Sequence, residues 1–372
     1  MNIGIDARLL SGRMTGISRY LRNILEYLPS FDFNNKYYLF TDSEITPLNN
    51  FYSVISAKKK KLPRQIYSHY WLNYILPKYL SENKIDIFFT PYLLVPLSKS
   101  LCKNVIVIHD SMPKACEQYY SFHYKKYLEL ILPGSIRRSD AIITDSKSAM
   151  HDIIKYNGVS PEKINYMHLW TNENYKVRNF SNEEKKILLS KYNLPEKYIL
   201  YVGAIEERKN IKGLLKISDI LHSKGNDIKF VLIGKGGFGH KRLFNEINNR
   251  KDRVIHQNSI DEEDLPLVYN LAKIFLFPSY YEGFGLPPLE AMKSGIPILT
   301  SDNSSLPEVV GNGGLMYDAD DNESFVTNII NLLKDDELYR NMSKRALNQA
   351  KKFTAQRQLP KLIEIFNKTI VS

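Results

Sequence analysis

Short runs of apolar residues alternate with segments of helical periodicity along the whole chain, and this alternation constrains the fold more than any other feature. The runs NVIVIHD and AIITDSK lie in the first half, and YILYVGA and KIFLFPSY lie in the second. Most are nearly continuous stretches of β-branched or aromatic residues, as expected for parallel strands covered on both faces. The pattern predicts two doubly wound α/β domains.

A chain of 372 residues has room for about two domains of ~150 residues each. A polar segment without periodicity spans residues 172–184, and we place the domain boundary within it. The prediction is an N-terminal domain over residues 1–178 and a C-terminal domain over residues 179–352. One more helical pattern follows in residues 353–372.

Cysteine content and the first residues bear on the compartment. The two cysteines, Cys102 and Cys116, are too few for a disulfide framework, so we expect a reducing environment. The first apolar run carries Asp6 and Arg8, which favours a strand over a secretory signal. No stretch approaches the ~18 uncharged apolar residues of a spanning helix. We therefore expect a cytoplasmic protein that is soluble or peripheral at the inner face of the cell membrane.

The net charge of +11 is concentrated in the first 180 residues, which hold 24 Lys and Arg against 15 Asp and Glu. The densest run is AKKKKLPR, at residues 57–64. One interpretation is a solvated face or a general lysine bias. The other is attraction to anionic lipid, which contributes about 1 kcal/mol for each basic residue near the surface. No zinc-finger or RNP-type pattern accompanies the charge, so we expect no nucleic-acid partner.

The stretch YYEGFGLPPLEAM, at residues 280–292, is the most informative local pattern. It joins the end of a predicted strand to the start of a predicted helix, which is where open α/β sheets bind ligands. Gly283 and Gly285 allow the backbone to approach a ligand closely. The helix N-terminus offers free N–H groups and a positive dipole end, which suit a phosphate.

Two glutamates, Glu282 and Glu290, stand eight positions apart in this stretch. A carboxylate on the first turns of the helix can accept two hydrogen bonds from hydroxyl groups, such as those of a ribose. Glu282 precedes the glycines, where a sugar would fit. The alternative is a turn that leads into a helix and carries two solvated glutamates.

Three other segments carry polar residues or glycines next to a predicted strand. YVGAIEERKN ends with the cations Arg208 and Lys209, which could hold a diphosphate or form a surface charge cluster. VIVIHD places His109 after a strand, where it could belong to a ligand site or have only a capping or structural role. LLSGRMTGISRY places Gly16 between the first strand and a helix, in a turn that also suits phosphate.

Taken together, GIDARLLSGRMTGISRY, VIVIHD, YVGAIEERKN and the long segment from FPSYYEGFG to SSLPEVVGNGG resemble glycosyltransferase family 4. The resemblance covers nearly the entire chain. It implies the GT-B fold, with two Rossmann-like domains facing a central cleft. The N-terminal domain would bind the acceptor, the C-terminal domain would bind a nucleotide-sugar, and the last helix would pack back on the N-terminal domain.

The resemblance also implies residue roles. It implies catalytic roles for His109, Arg208, Lys209 and Glu282. It implies nucleotide-sugar binding by Gly16, Gly203, Gly234, Phe284, Gly285, Leu286 and Glu290. Glu290 would bind the donor ribose, Glu282 would contact the donor sugar, and His109 would lie beside that sugar. Backbone N–H groups of residues 284–286 would line the diphosphate. The family often has Arg after the glycine of YVG, whereas this chain has Ala204, so Arg208 is the candidate to supply that charge.

The expected reaction is transfer of a sugar from a nucleotide-sugar, with GDP-mannose as first choice, to a saccharide or polyprenyl-diphosphate-linked acceptor in bacterial surface-polysaccharide assembly. The resemblance implies that the anomeric configuration is retained. No cofactor and no metal are expected, because fixed cations and the helix N-terminus could stabilise the leaving phosphate. The acidic residues at 318–320 are interpreted as a turn.

Several alternatives stay open. The donor could be a UDP- or dTDP-sugar, or the chain could be an epimerase or phosphorylase on the same architecture. A binding protein without activity is a further alternative. IGKGGFG matches a dinucleotide-binding pattern, but the acidic residue expected ~20 positions later is missing. The segment from Gln65 to Leu80 has aromatic residues at helical spacing, which either pack inside the domain or lie on a membrane interface.

Overall fold

The computed structural model describes residues 1–11, 15–45, 49–57, 64–98 and 102–371. The chain forms two compact units. The first unit comprises Met1–Ala115, Phe122–Leu169 and Thr354–Ser372, and the second comprises Cys116–Ser121 and Trp170–Phe353. Each unit contains one parallel sheet with helices between its strands. The predicted architecture of two parallel-sheet α/β domains is confirmed.

Every strand pairing in the sheet of the first unit is parallel, and the strand order is β3-β2-β1-β4-β5-β6-β7. The strands are β1 Asn2–Asp6, β2 Lys36–Thr41, β3 Tyr52–Ser56, β4 Ile87–Thr90, β5 Lys103–Val107, β6 Ala141–Thr144 and β7 Ile164–Tyr166. The central strands are apolar and buried, as their sequences predict. The order of connection reverses between β1 and β4, so this point of the sheet edge is open to a ligand.

Helices connect the strands of the first unit. They are α1 Gly16–Tyr27, α2 Arg64–Tyr70, α3 Leu76–Glu82, α4 Met112–Ala115, α5 Phe122–Arg138 and α6 Lys147–Asn157. A π-helical turn, Trp71–Ile75, joins α2 to α3. Trp71 and its apolar neighbours on this segment pack against Phe40 and Phe88 of the sheet. The predicted helical pattern over residues 65–80 is therefore only partly surface-exposed.

The sheet of the second unit has the order β10-β9-β8-β11-β12-β13, again with parallel pairing. The strands are β8 Tyr198–Val202, β9 Lys229–Ile233, β10 Val254–Gln257, β11 Ile274–Phe277, β12 Ile298–Ser301 and β13 Leu315–Tyr317. Counted from β8, this is the 3-2-1-4-5-6 order of dinucleotide-binding folds. The connection reverses between β8 and β11, so a ligand is expected beyond the carboxyl ends of these two strands.

The helices of the second unit follow the strands in sequence. They are α7 Asn182–Lys191, α8 Ile211–Ser223, α9 His240–Asn248, α10 Leu265–Leu271, α11 Leu286–Lys293, α12 Leu306–Val310, α13 Asn322–Lys334 and α14 Asp336–Ala350. The last helix, α15 Ala355–Val371, belongs to the first unit. There Phe366 packs against Phe89 of β4, with ring centroids 5.6 Å apart.

The chain passes into the second unit between Leu169 and Trp170, whereas the sequence-based boundary stands at residue 178. The polar segment that looked like a linker is held on the second unit. The side chains of Trp170 and Tyr175 are buried there. The ammonium group of Lys293 donates to the carbonyl of Thr171 at 3.2 Å, and the N–H of Arg178 donates to Asn270 at 2.8 Å. The lack of hydrophobic periodicity in this segment therefore reflects an irregular backbone that packs on the second unit, and not a linker between the units.

Candidate functional site

The candidate site lies at the switch point of the second unit. The segment that leaves β8 contains Gly203 and the helical turn Glu207–Lys209, and the segment that leaves β11 contains Ser279 and Glu282. Because β8 and β11 are neighbours in the sheet, these two segments meet at the same edge. The sequence assigned the cations and the glutamate to separate motifs, and the fold brings them together.

Helix α11 begins at this edge, directly after the glycines. Gly285 caps it with φ 109°, a backbone conformation that favours glycine. The loop before the helix is fixed by Ser305, whose hydroxyl contacts the carbonyl oxygens of Glu282 and Phe284 at 2.9 and 2.8 Å. The backbone of residues 284–286 therefore enters the helix in a defined direction. First-turn N–H groups of a helix are suited to an anion.

Lys209, which is partly buried, forms an ion pair with the buried Glu282. The ammonium nitrogen of Lys209 lies 2.6 and 2.7 Å from the two carboxylate oxygens of Glu282. The hydroxyl of Ser279 donates to the same carboxylate at 2.6 Å. Glu282 is only 6% exposed, so the pair is shielded from solvent. Sequence reasoning missed Ser279, because a single serine after a strand carries no pattern of its own.

Arg208 completes the charged network. Its guanidinium pairs with Glu206, donates to the carbonyl of Tyr281 at 2.6 Å, and lies 3.7 Å from Glu282. Burial raises the pKa of Glu282, but the charges of Lys209 and Arg208 outweigh it and hold the pKa below its ordinary value. The carboxylate is therefore ionised at neutral pH. Two cations and two carboxylates lie next to the N-terminus of α11.

Glu290 lies within α11 and is 1% exposed. The hydroxyl of Tyr269, on α10, donates to its carboxylate at 2.8 Å. Tyr269 is itself buried, and Tyr175 packs against it at a steep angle with ring centroids 5.6 Å apart. Sequence reasoning missed Tyr269, because it lies in an apolar helical run where an aromatic residue predicts only packing. Glu290 is thus a carboxylate held in one place by a neighbouring helix.

Gly203 and Gly234 follow the neighbouring strands β8 and β9, and they touch. A Cβ atom on Gly234, whose φ is 154°, would lie 1.8 Å from the carbonyl oxygen of Gly203. The close approach of these two backbones therefore requires glycine at position 234, whatever else binds there. The carbonyl of Ala204, where the family often has Arg, accepts a hydrogen bond from the Tyr201 hydroxyl at 2.9 Å.

The other two predicted site residues lie in the first unit. Gly16 is the first residue of α1 and follows the N-cap Thr15. His109 follows β5, and its ring contacts Asp145, which follows β6, at 2.9 Å. Sequence reasoning missed Asp145, since an aspartate in the segment TDSK also predicts a helix cap.

The described part of the chain has neither a candidate metal cluster nor a candidate membrane-spanning helix. Those residues include no cluster of three or more His, Cys, Asp or Glu side chains that could hold a metal ion. Their helices include none with the length and apolar character needed to cross a bilayer. Metal independence stays a prediction.

Two parallel-sheet α/β units, one with paired cations and a glycine-capped helix at its switch point, are the architecture of GT-B glycosyltransferases. Residues 181–349 match the family described as "Glycosyl transferases group 1", and residues 14–172 match "Glycosyltransferase Family 4". The chain belongs to glycosyltransferase family 4, and it is a glycosyltransferase.

Individual proteins that are similar in sequence to the chain are also named as glycosyltransferases. The O-antigen chain mannosyltransferase B of Escherichia coli is 33% identical over 279 residues, which cover 74% of this chain and 72% of that protein. The serotype-specific mannosyltransferase WbdA of Escherichia coli is 30% identical over 290 residues, or 75% of this chain. The chain spans about a third of the length of WbdA, since the match covers 35% of it.

Solved structures agree with the fold. The Anabaena protein HepE, crystallised with UDP and glucose, has a TM-score of 0.72 and 15% identity. The match covers 100% of this chain and 99% of HepE.

Proposed function

We propose that the protein transfers a hexosyl group from a nucleotide-sugar, with GDP-mannose as first choice, to a saccharide or lipid-linked saccharide of a bacterial surface polysaccharide. The observation that carries the proposal is the pair of cations, each with a side chain only 11% exposed, beside the N-terminus of α11. Two relatives named as mannosyltransferases, at 33% and 30% identity, support the choice of sugar. The complex of HepE with UDP and glucose makes a UDP-sugar the second candidate donor.

The proposed chemistry places the diphosphate where positive charge is already fixed. Negative charge grows on the leaving phosphate as the bond to the anomeric carbon breaks. Lys209 and Arg208 supply two positive charges, and the N–H groups of residues 284–286 supply hydrogen bonds. These groups do not need to reorganise far, because the ion pairs and the hydroxyl of Ser305 already hold them. Stabilisation of this kind needs no metal, and we propose that none takes part.

The two glutamates have separate proposed roles. Glu282 contacts hydroxyl groups of the transferred sugar, and Glu290 accepts hydrogen bonds from the ribose. A buried carboxylate held by Lys209 and Ser279 can accept further hydrogen bonds from a sugar without moving. Gly203 and Gly234 lie at the ends of β8 and β9, where the nucleotide is proposed to bind.

We further propose that the anomeric configuration is retained. The acceptor hydroxyl attacks the anomeric carbon on the face that the diphosphate leaves, the bond to the diphosphate breaks, and the leaving phosphate takes the proton of the hydroxyl. This route needs no covalent nucleophile on the protein. His109 and Gly16 are assigned contacts with the donor on the basis of the resemblance to the family.

The acceptor is proposed to be carried on a lipid, with the first unit in peripheral contact with an anionic membrane. Lys58–Lys61, the densest basic run, lie outside the described residues. The segment that follows them exposes Tyr74 at 72%, whereas Trp71 is buried. Helix α5 exposes Phe122 and Leu130 on either side of its lysines. Exposed aromatic and aliphatic side chains next to basic residues suit the interface of an anionic bilayer.

The donor is tested by thermal shift with GDP, UDP and dTDP, followed by a transfer assay with GDP-mannose. Stabilisation by GDP above the other two, and release of GDP that depends on Lys209, support the proposal. Stabilisation by UDP alone replaces GDP-mannose with a UDP-sugar. A chain that none of the three nucleotides stabilises contradicts the nucleotide-sugar site itself.

Membrane contact is tested by co-sedimentation with liposomes of neutral lipid and of neutral lipid containing phosphatidylglycerol. Binding only to the anionic liposomes, weakened when Lys58–Lys61 are replaced by Gln, supports the contact. A variant with four Lys→Gln changes at 185, 186, 212 and 216, all in the second unit, is the control for net charge. Binding that is indifferent to anionic lipid contradicts the proposal.

A further inference from the structure

The ring of His109 is held between two hydrogen-bond acceptors. Its Nδ1 atom lies 2.9 Å from a carboxylate oxygen of Asp145, and its Nε2 atom lies 3.1 Å from the backbone carbonyl oxygen of Pro91. These contacts join the ends of the neighbouring strands β4, β5 and β6. The hydroxyl of Thr144 also donates to the backbone carbonyl of His109 at 3.2 Å. The position of the ring is therefore fixed from both sides.

This arrangement selects the doubly protonated ring. A carbonyl oxygen and an ionised carboxylate only accept hydrogen bonds, whereas a neutral imidazole has one N–H and one lone pair. A neutral ring would thus direct a lone pair at one of the two oxygen atoms. The imidazolium donates to both. Neither ring nitrogen then has a lone pair with which to take a proton from a substrate.

The charged and titratable groups around the ring favour the same state. Burial lowers the pKa of His109, but the charge and hydrogen bond of Asp145 and the charge of Asp110 raise it above its ordinary value. Tyr20, on α1, packs at a right angle to the ring with centroids 5.2 Å apart. Burial and the charge of Asp145 raise the pKa of the Tyr20 hydroxyl, so it remains a neutral phenol. Asp145 is only 5% exposed, so water screens its charge little.

We propose that Asp145 is a positioning residue that holds His109 as an imidazolium, so that His109 serves glycosyl transfer as a fixed positive charge and not as a proton acceptor. The inference rests on the proposed function only for the contact of His109 with the substrate. The protonation state follows from the ring contacts alone. A positive charge without a free lone pair at this position agrees with a reaction in which the leaving phosphate takes the acceptor's proton, since no protein base is then required.

The protonation state is measured on the full chain by NMR of ¹⁵N-labelled histidine rings between pH ~5.5 and ~9, a range that brackets the ordinary histidine pKa. The chain has eight histidines, and the His109→Gln variant assigns the signal of His109. Both nitrogens of His109 should show the shifts of an imidazolium at pH ~7, where an ordinary histidine with pKa ~6.5 is mostly neutral. A neutral ring at that pH in the wild-type chain overturns the proposal.

The role of Asp145 is measured in the same experiment with Asp145→Asn, which keeps the shape of the side chain and removes its charge. The pKa of His109 should fall, because burial then acts without the carboxylate. Asp110→Asn is the matched control, since it removes an equal charge from the residue that accepts the N–H of Met112 at 2.9 Å. It should lower the pKa less. A pKa that Asp145→Asn leaves unchanged, or that Asp110→Asn lowers equally, overturns the role of Asp145.

The catalytic consequence appears in the pH dependence of kcat/KM, measured with GDP-mannose. If His109 acted as a base, the enzyme would lose activity as the pH falls through ~6.5, because the ring would become protonated. The imidazolium instead predicts a loss as the pH rises, and Asp145→Asn should shift this loss to lower pH. At pH ~7.5 its kcat/KM should be at least about tenfold lower than in the wild-type chain. If the pH dependence of kcat/KM is unchanged in Asp145→Asn, the proposed role of the imidazolium in catalysis is overturned.

The proposed function can fail separately. If His109→Gln retains full activity while the NMR results stand, the assignment of His109 to the substrate is wrong, and the imidazolium and its positioning residue remain.

Discussion

The ammonium group of Lys209 contacts both carboxylate oxygens of Glu282, at 2.6 and 2.7 Å, although 73 residues separate the two in the sequence. The pair connects the segments that leave two adjacent strands at the switch point of the sheet. Both side chains are nearly inaccessible to water. Each side chain therefore depends on the other for compensation of its charge.

Replacing Lys209 should impair both stability and catalysis. Lys209→Met leaves Glu282 buried with only Arg208, 3.7 Å away, to compensate its charge, which costs up to about 3–5 kcal/mol of unfolding free energy. It also removes the cation that is proposed to stabilise the leaving phosphate, which costs at least ~2 kcal/mol in transition-state stabilisation. Urea denaturation and kcat/KM with the donor measure the two effects.

The double variant Lys209→Met with Glu282→Gln separates the effect on stability from the effect on catalysis. It removes both charges, so most of the lost stability should return while activity stays low. Recovery of activity together with stability would mean that the pair has only a structural role.

The two glutamates should give different kinetic defects. Glu290→Ala should weaken nucleotide binding by about 1.5–3 kcal/mol, because it removes the carboxylate proposed to bind the ribose. Glu282→Ala should lower kcat more than affinity, because the transferred sugar is its proposed partner. Calorimetry with GDP and steady-state kinetics measure these quantities. Unchanged binding and turnover in both variants would remove the assigned roles.

Tyr269→Phe should weaken binding through Glu290. The substitution keeps the buried ring against Tyr175 but deletes the hydroxyl that donates to Glu290 at 2.8 Å. GDP affinity should fall by about 0.5–1.5 kcal/mol, the net value of one hydrogen bond. The affinity for 2′,3′-dideoxy-GDP, which lacks the ribose hydroxyls, should change less. Equal losses for both nucleotides would show that Tyr269 does not act through the ribose contact.

Two glycines should respond differently to alanine. At Gly285, φ of 109° and a Cβ only 3.1 Å from Leu306 predict a loss of about 1–3 kcal/mol in stability, together with weaker binding of GDP. At Gly16, the first residue of α1, a Cβ meets nothing within 4 Å, so Gly16→Ala should fold as well as the wild-type chain. Thermal unfolding with and without GDP measures both. A stable Gly285→Ala variant would contradict the backbone constraint.

The contact of His109 with Asp145 should make stability depend on pH. The pKa of His109 is raised in the folded chain, so protonation favours folding. This stabilisation is complete below the unfolded pKa of ~6.5 and is lost as the pH rises through the folded pKa. The difference in unfolding free energy between the wild-type chain and Asp145→Asn should therefore be larger at pH ~6 than at pH ~9. A difference that grows with pH would reverse the sign and contradict the pairing.

The sequence predicted the central strands well because they are continuous apolar runs. Strands β8 and β11 coincide with YILYVGA and KIFLFPSY, and each is buried on both faces. Strands β3, β7 and β13 lack such runs, lie at sheet edges and are partly exposed. An edge strand pairs on one side only, so it does not need the apolar run that identifies an interior strand.

The sequence predicted candidate residues for the site but not the contacts among them. The cations and glutamates predicted next to strand ends of the second unit lie close together, because strand ends in parallel sheets share an edge. Their roles in binding and catalysis stay predictions. The partners Tyr269 and Asp145 were not predictable, since a tyrosine in an apolar helix and an aspartate before a helix have ordinary explanations. Only the tertiary structure shows that their polar atoms reach Glu290 and His109.

The placement of α15 in the first unit has a consequence for biosynthesis. The second unit's main segment, Trp170–Phe353, has been translated before α15 begins, whereas the first unit lacks a helix until α15 leaves the ribosome. Domains usually mature in the order of synthesis. Here the second unit is able to reach its native packing first, and the first unit completes its core around Phe89 only after α15 has been synthesised.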